Sequence, residues 1–156
     1  MSSATPCSIR PEPALAGQTV VVIGGSAGIG LETARLAGAE GAKLILAARN
    51  PEHLQRVASD LGAQSSAAFD ATDFSQLEKF FNELPTPINH VLVTGPGPYY
   101  ATLADLDFDR ARRDVEAHLF LPMQIARLSA KKVRAGGACS SWAARAAATP
   151  RRECPS

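Results

Sequence analysis

Residues 20–30 read Val20-Val21-Val22-Ile23-Gly24-Gly25-Ser26-Ala27-Gly28-Ile29-Gly30, a β-branched apolar run that passes directly into spaced glycines. A strand that breaks into such a turn and opens a helix presents bare backbone N–H groups at the positive end of the helix. That arrangement suits the pyrophosphate of a dinucleotide. Gly24 lets the chain turn sharply off the strand, Gly28 keeps a side chain out of the path of the phosphates, and Gly30 lets the helix pack close to the sheet. Backbone N–H groups near Ser26 and Ile29 then face phosphate oxygens, assisted by the helix dipole.

A second candidate lies at the end of the next apolar run, in Ala47-Ala48-Arg49-Asn50. An acid there would hold the ribose 2′-hydroxyl of NAD. This chain has none and offers a guanidinium instead, which suits a 2′-phosphate, with the Ser26 hydroxyl as a second donor. NADP(H) is therefore favoured over NAD(H); the alternative for Arg49 is a solvated surface arginine. The three cysteines, Cys7, Cys139 and Cys154, and the three histidines, His53, His90 and His118, are scattered and form neither a metal-ligand set nor a disulfide framework.

The elements that must position these groups alternate between strand and helix. Thr19–Ile23 and Lys43–Ala48 are apolar enough for strands covered on both faces. Between them Ile29–Glu40 is a helix, with Ile29, Thr33, Leu36 and Ala37 as its inner face and Gly41 as its stop. Asn50 caps the next helix, Pro51 opens it, Leu54, Val57 and Leu61 line it, and Gly62 ends it. Ser65–Asp70 is a weaker third strand. Thr72 or Asp73 caps a helix carrying Phe74, Leu77, Phe80, Phe81 and Leu84, and His90–Thr94 is the fourth strand. After the loop Gly95-Pro96-Gly97-Pro98-Tyr99-Tyr100, a long helix runs from about Asp107 to Val133, with Phe108, Ala111, Val115, Leu119 and Ala126 at helical steps. Such alternation implies an α/β fold with right-handed crossovers and a parallel sheet. Asp70-Ala71 closes the third strand, where an Asx turn is one reading of the acid.

Beyond Val133 the pattern collapses. Ala138–Ser156 is Ala, Arg, Ser and Pro with one Trp, and reads as an irregular tail. Moving the reading frame back by one base across Cys139–Ala148 permits an apolar strand and a glycine-rich turn, so a frameshift is one account of the tail. The expected organisation is a disordered Ser/Pro/Ala-rich leader over 1–16, an incomplete dinucleotide-binding domain over 17–137 and the tail over 138–156.

The spacing Gly24-x3-Gly28-x-Gly30, with Ile23 before the first glycine, resembles the short-chain dehydrogenase/reductase family rather than the commoner G-x-G-x-x-G fold. The resemblance covers residues 18 to about 137. It implies a doubly wound, Rossmann-like sheet in the order 3-2-1-4, here truncated after the fourth strand and following helix. It also implies NAD(P)(H)-dependent hydride transfer between alcohols and ketones in the parent protein. By resemblance, Asp70 with Ala71 meets the adenine amino group, and backbone at Gly95 and Gly97 passes the adenosine ribose. The family's Asn-Asn-Ala-Gly turn is Thr94-Gly95-Pro96-Gly97 here, so the amides that tie neighbouring strands are missing. His118 stands at the position of a supporting Asn. Pro122 has no N–H for the His118 carbonyl, which in the family holds a water of the proton relay.

The family's acid/base is a Tyr-x-x-x-Lys after the fifth strand. No Tyr follows Tyr100 and no Lys follows Lys132; Ser140 and Ser141 lie near the expected serine. No catalytic residue is therefore assigned, and the chain alone is expected to be inactive. The alternatives are a non-catalytic NADP(H)-binding module and a non-functional fragment. A methyltransferase is disfavoured because Arg49 stands where an acid usually closes the second strand.

The bulk composition agrees with one soluble globular domain: 156 residues, 46% apolar and 20% charged. A net charge of +1 gives no electrostatic case for nucleic acid or an anionic membrane. The leader lacks the apolar core of a signal peptide, so a cytoplasmic location is expected. The implied partners are the nucleotide, a small carbonyl or alcohol substrate of the parent protein, and a second copy in a full-length homo-oligomer. A sheet ending at the fourth strand would leave a bare parallel edge.

Overall fold

In the computed structural model, which describes residues 14–95 and 97–141, a parallel sheet is covered by helices on both faces. Its strands are β1 (Thr19–Ile23), β2 (Lys43–Ala48), β3 (Ser65–Ala68), β4 (Ile88–Val93) and β5 (Val133–Ser141), in the spatial order β3-β2-β1-β4-β5. The helices are α1 (Gly28–Ala39), α2 (Pro51–Asp60), α3 (Phe74–Glu83), α4 (Phe108–Val115) and α5 (Leu121–Ser129). The doubly wound α/β architecture read from the sequence is present.

Period-two alternation sorts the strand side chains to opposite faces. Val21 and Ile23 of β1, with Ile45, Val91 and Val93, pack under Leu77, Phe80 and Phe81 of α3 and Leu121 and Ile125 of α5. Val20 and Val22, with Leu44 and Leu46, pack against Ala34 and Ala37 of α1 and Leu54, Val57 and Ala58 of α2. Asn89 is buried, and its Oδ1 accepts the Thr19 N–H at 2.9 Å, which joins the starts of β1 and β4.

Four sequence expectations are corrected. The inner face of α1 is Gly30, Ala34 and Ala37, whereas Ile29 and Leu36 are 51% and 67% exposed. The glycine turn draws α1 so near the sheet that only small residues fit beneath it. The single long helix is instead α4 and α5 joined by a π-helical turn over Glu116–Phe120, where the Leu121 N–H donates to the Glu116 carbonyl five residues back. Pro122, without an N–H and with a ring that crowds the turn before it, accounts for the widening. The extra residue rotates the helix, so Leu121 and Ile125 are buried while Phe108, Val115 and Leu119 are 69%, 47% and 52% exposed.

The helix also ends at Ser129, and Val133 begins a strand. The sheet thus does not stop at the fourth strand: β5 pairs in parallel with β4, Val91 with Cys139, Leu92 with Ser140 and Val93 with Ser141. Main-chain hydrogen bonding suffices for this strand, whose side chains are mostly exposed. A register shift near His90, with Gly136 at φ +83°, lets Gly137 pack against the Asn89 carbonyl. β4 is therefore paired on both sides, not bare. The tail beyond Ser141 and the leader before Ala14 lie outside the described residues; Ala14 and Leu15 bond to Glu40 by their N–H groups. Among the described residues no helix is long and apolar enough to cross a membrane.

Candidate functional site

The glycine turn, Arg49, Asp70, Gly95 and Ser141 all lie at the carboxyl end of the sheet, because β1, β2, β3, β4 and β5 run parallel and each delivers its following loop to that edge. At β1 the Gly24 and Gly25 N–H groups donate to the Ala47 carbonyl at 2.8 and 3.2 Å. Gly24 has φ +85° and Gly28 φ +52°. A Cβ on Gly30 would run into the Gly24 carbonyl and come 2.7 Å from Thr94 Oγ1, so α1 can begin here only with glycine. A Cβ on Gly28 would meet nothing within 4 Å; it would project into open space above the turn. Gly30 thus serves packing, and Gly28 keeps a surface clear. Ser26 is half-buried, and Ile29 is exposed at the first turn of α1.

Thr94 corrects one expectation. The missing amide does not leave the strands untied: Thr94 Oγ1 donates to the Gly24 carbonyl at 3.1 Å and lies 3.4 Å from that of Ile23, while its N–H donates to the Ile23 carbonyl at 2.9 Å. A hydroxyl at the end of β4 performs the tie.

Arg49 is exposed at the end of β2, beside the glycine turn on β1 and the Asp70 segment on β3. Asp70 forms the Asx turn: its Oδ1 accepts the Thr72 N–H at 3.0 Å and the Thr72 hydroxyl at 2.8 Å. Those two bonds, the backbone one first, hold its carboxyl below the usual carboxylate range, with a smaller contribution from the Arg49 charge. Arg49 therefore stands within electrostatic reach of an acid while its own N–H donors remain turned to solvent. Ala71, half-buried, follows Asp70 and packs at the edge of the α3 core.

His53 was not singled out from the sequence as part of a site. From the first turn of α2 its Nε2 lies 2.9 Å from the Ser26 carbonyl, bridging the first two loops. A side chain that bonds backbone 27 residues away leaves no local signature.

Across the sheet, His118 of the π-helical turn reaches the end of β4, with its Cε1 3.9 Å from where a Gly95 Cβ would sit. Its Nε2 is 3.9 Å from Asp114 Oδ1, which itself accepts the Tyr99 N–H at 3.1 Å. Pro122 removes a donor opposite Ala117 and His118, the two carbonyls that the π and α registers would present to it. Gly97, Tyr99, Arg110, Arg113 and Asp114 line an open cleft of about 230 Å³. Tyr99 is held there, its ring under the Arg110 guanidinium at 4.4 Å and its hydroxyl accepting the Asp107 N–H, while Tyr100 is 85% exposed. Ser141 Oγ is buried at the same edge of the sheet, without a hydrogen-bond partner among the described residues. Among those residues no group of His, Cys, Asp and Glu could hold a metal ion.

Residues 18–133 match the family model described as short chain dehydrogenase. Short-chain dehydrogenase/reductase ATR9 of Stachybotrys chlorohalonatus is 25% identical over 130 residues, which cover 75% of this chain and 51% of that protein. The structure of BdcA in complex with NADPH superposes with a TM-score of 0.73 at 20% identity, over 81% of this chain and 52% of that one. A short chain dehydrogenase from Burkholderia cenocepacia J2315 in complex with NADP superposes with a TM-score of 0.74 at 20% identity, over 81% and 55%. At these identities the structural likeness is one of fold. The chain spans about half the length of these relatives.

Proposed function

Because this chain belongs to the short-chain dehydrogenase family, we propose that it is the nucleotide-binding half of an NADP(H)-dependent oxidoreductase of alcohols or ketones. The observation that carries the reading is the clear space over Gly28, bounded by a turn that Gly30 and Thr94 lock in place and flanked by Arg49. Backbone N–H groups at Ser26 and Ile29 face the pyrophosphate, Arg49 and the Ser26 hydroxyl meet the 2′-phosphate, and Asp70 with Ala71 borders the adenine. Backbone at Gly95 and Gly97 flanks the adenosine ribose. The bound nucleotide supplies or accepts the hydride at its nicotinamide ring. The two NADP-bound neighbours support the phosphorylated cofactor, as does the lack of an acid at the end of β2.

His118 stands where a relay group is needed, with a carbonyl that Pro122 cannot engage. No Tyr follows Tyr100 in these 156 residues, so hydride transfer is assigned to the whole protein of this type and binding to this chain. The second reading, a binding module without turnover, is favoured by that same absence. The exposed apolar residues Val115, Leu119, Phe120 and Met123 offer a face for a second copy.

Calorimetric titration of the chain with NADPH and NADH tests the assignment. One charge-assisted contact to the 2′-phosphate is expected to favour NADPH by about 10- to 100-fold, and Arg49→Ala to erase that preference while leaving NADH binding intact. Equal affinities, unchanged by Arg49→Ala, would remove the assignment of Arg49 and with it the NADP(H) preference. Absence of binding to either nucleotide would overturn the reading as a whole.

A further inference from the structure

We infer that His53 is a positioning residue for the 2′-phosphate end of the nucleotide site, holding the glycine turn against α2 so that Ser26 and Arg49 face one phosphate. The inference rests on the NADP(H) reading above and extends it to a residue outside the glycine motif.

The turn has unusual need of a restraint. It contains Gly24, Gly25, Gly28 and Gly30, whose backbones have the widest conformational freedom. The N-cap residue of α1 is Ala27, which supplies no side-chain bond to the helix start. Among the described residues, His53 is the side chain that bonds the Ser26 carbonyl, at 2.9 Å and half-buried. A carbonyl only accepts, so Nε2 carries the proton in this contact. Because the peptide is planar and trans, fixing the Ser26 carbonyl also fixes the opposed N–H of Ala27, the residue before Gly28.

The anchor is itself rigid. The His53 N–H donates to Asn50 Oδ1 at 2.9 Å, and Asn50 directly follows Arg49. One short segment, Arg49 to His53, thereby joins the guanidinium, the cap of α2 and the ring that reaches the turn. Across β1 and β2 the register pairs Ile23 with Ala47, so Ser26 and Arg49 leave neighbouring strands side by side. The imidazole sets the spacing between them. Losing it leaves Arg49 in place but frees the turn, which weakens the ligand that needs both groups more than the one that needs neither.

The test is a double-mutant cycle on the full chain, with NADPH and NADH titrated separately onto the wild type, His53→Ala, His53→Gln, Arg49→Ala and the His53→Ala/Arg49→Ala pair. His53→Ala is expected to weaken NADPH binding about five- to tenfold and NADH binding less than about twofold. His53→Gln, whose amide nitrogen can donate at a similar reach, is expected to keep most of the NADPH affinity. In the Arg49→Ala background, removing His53 is expected to cost little more. Should His53→Ala fail to fold, His53→Met, which fills the volume without a donor, is judged by the same criteria. An unchanged NADPH-to-NADH ratio, or two effects that simply multiply, would overturn the role of His53 while leaving the functional reading intact. A wild-type chain that binds neither nucleotide would overturn both, and that arm is read first.

Discussion

What a methyl group would meet divides the glycines of the turn into two kinds. At Gly30 it collides with the Gly24 carbonyl, whereas at Gly28 it enters open space. The two positions should therefore fail differently. Gly28→Ala places a side chain at φ +52°, at a cost of about 1–2 kcal/mol. It is expected to stay folded, with a thermal midpoint lowered by several degrees, yet to bind NADPH at least about tenfold more weakly. Gly30→Val is expected to lose cooperative unfolding altogether. Circular-dichroism melts beside calorimetric titration separate the two. Wild-type affinity in folded Gly28→Ala would mean that phosphates do not use this space. The glycine pattern was legible in the sequence because a turn and a close approach both demand a missing Cβ. Thr94 and His53 were not, since their bonds join side chains to backbone 70 and 27 residues away, set only once strands are in register.

At the scale of elements, the strands with strong side-chain patterns were readable and the one without was not. β1, β2 and β4 announce themselves through Val, Ile and Leu, which are the buried core. β5 carries Gly, Ala, Cys and Ser, with little to bury, and owes its existence to the row of main-chain groups that β4 would otherwise leave unpaired. The phase of α5 was lost for a related reason: periodicity assumes an unbroken helix, and the π-helical turn before Pro122 inserts a residue. The docking of β5 is open to test at Gly137, where a side chain would meet the Asn89 carbonyl and come 2.5 Å from Val133 Cγ1. Gly137→Val is expected to detach β5 and leave the rest of the sheet in place. In hydrogen exchange, the amides of β4 that face β5 should lose protection while those of β1 and β2 keep it. Unchanged protection along β4 would show that β5 contributes nothing to the edge.

For the molecule as a whole, parallel strands send every loop of chemical interest to one edge, and three carboxylates on loops of the fold share one electrostatic fate. Asp70 is held below the usual carboxylate range by the Thr72 N–H and then the Thr72 hydroxyl; Asp73, the cap of α3, by the Gln76 side chain and then its N–H. Asp107, the cap of α4, is held low chiefly by the Arg110 N–H. In the unfolded chain each returns to an ordinary value near 3.8, so over the interval below it the unfolded state carries more protons. Stability therefore rises with pH across that interval. The contribution is complete above the unfolded value and disappears as the pH falls through the lower folded ones. Scanning calorimetry is expected to show an unfolding midpoint that is nearly flat from neutral pH to about pH 4.5 and then declines steeply. Asparagine caps a helix about as well as aspartate and does not titrate. The triple variant Asp70→Asn, Asp73→Asn and Asp107→Asn should thus match the wild type at pH 7 and show a shallower acid limb. The growing positive charge of the acidified chain acts on both proteins alike, so only the difference between their slopes reports on these carboxylates. Identical slopes would mean that their hydrogen bonds do not distinguish the folded chain from the unfolded one.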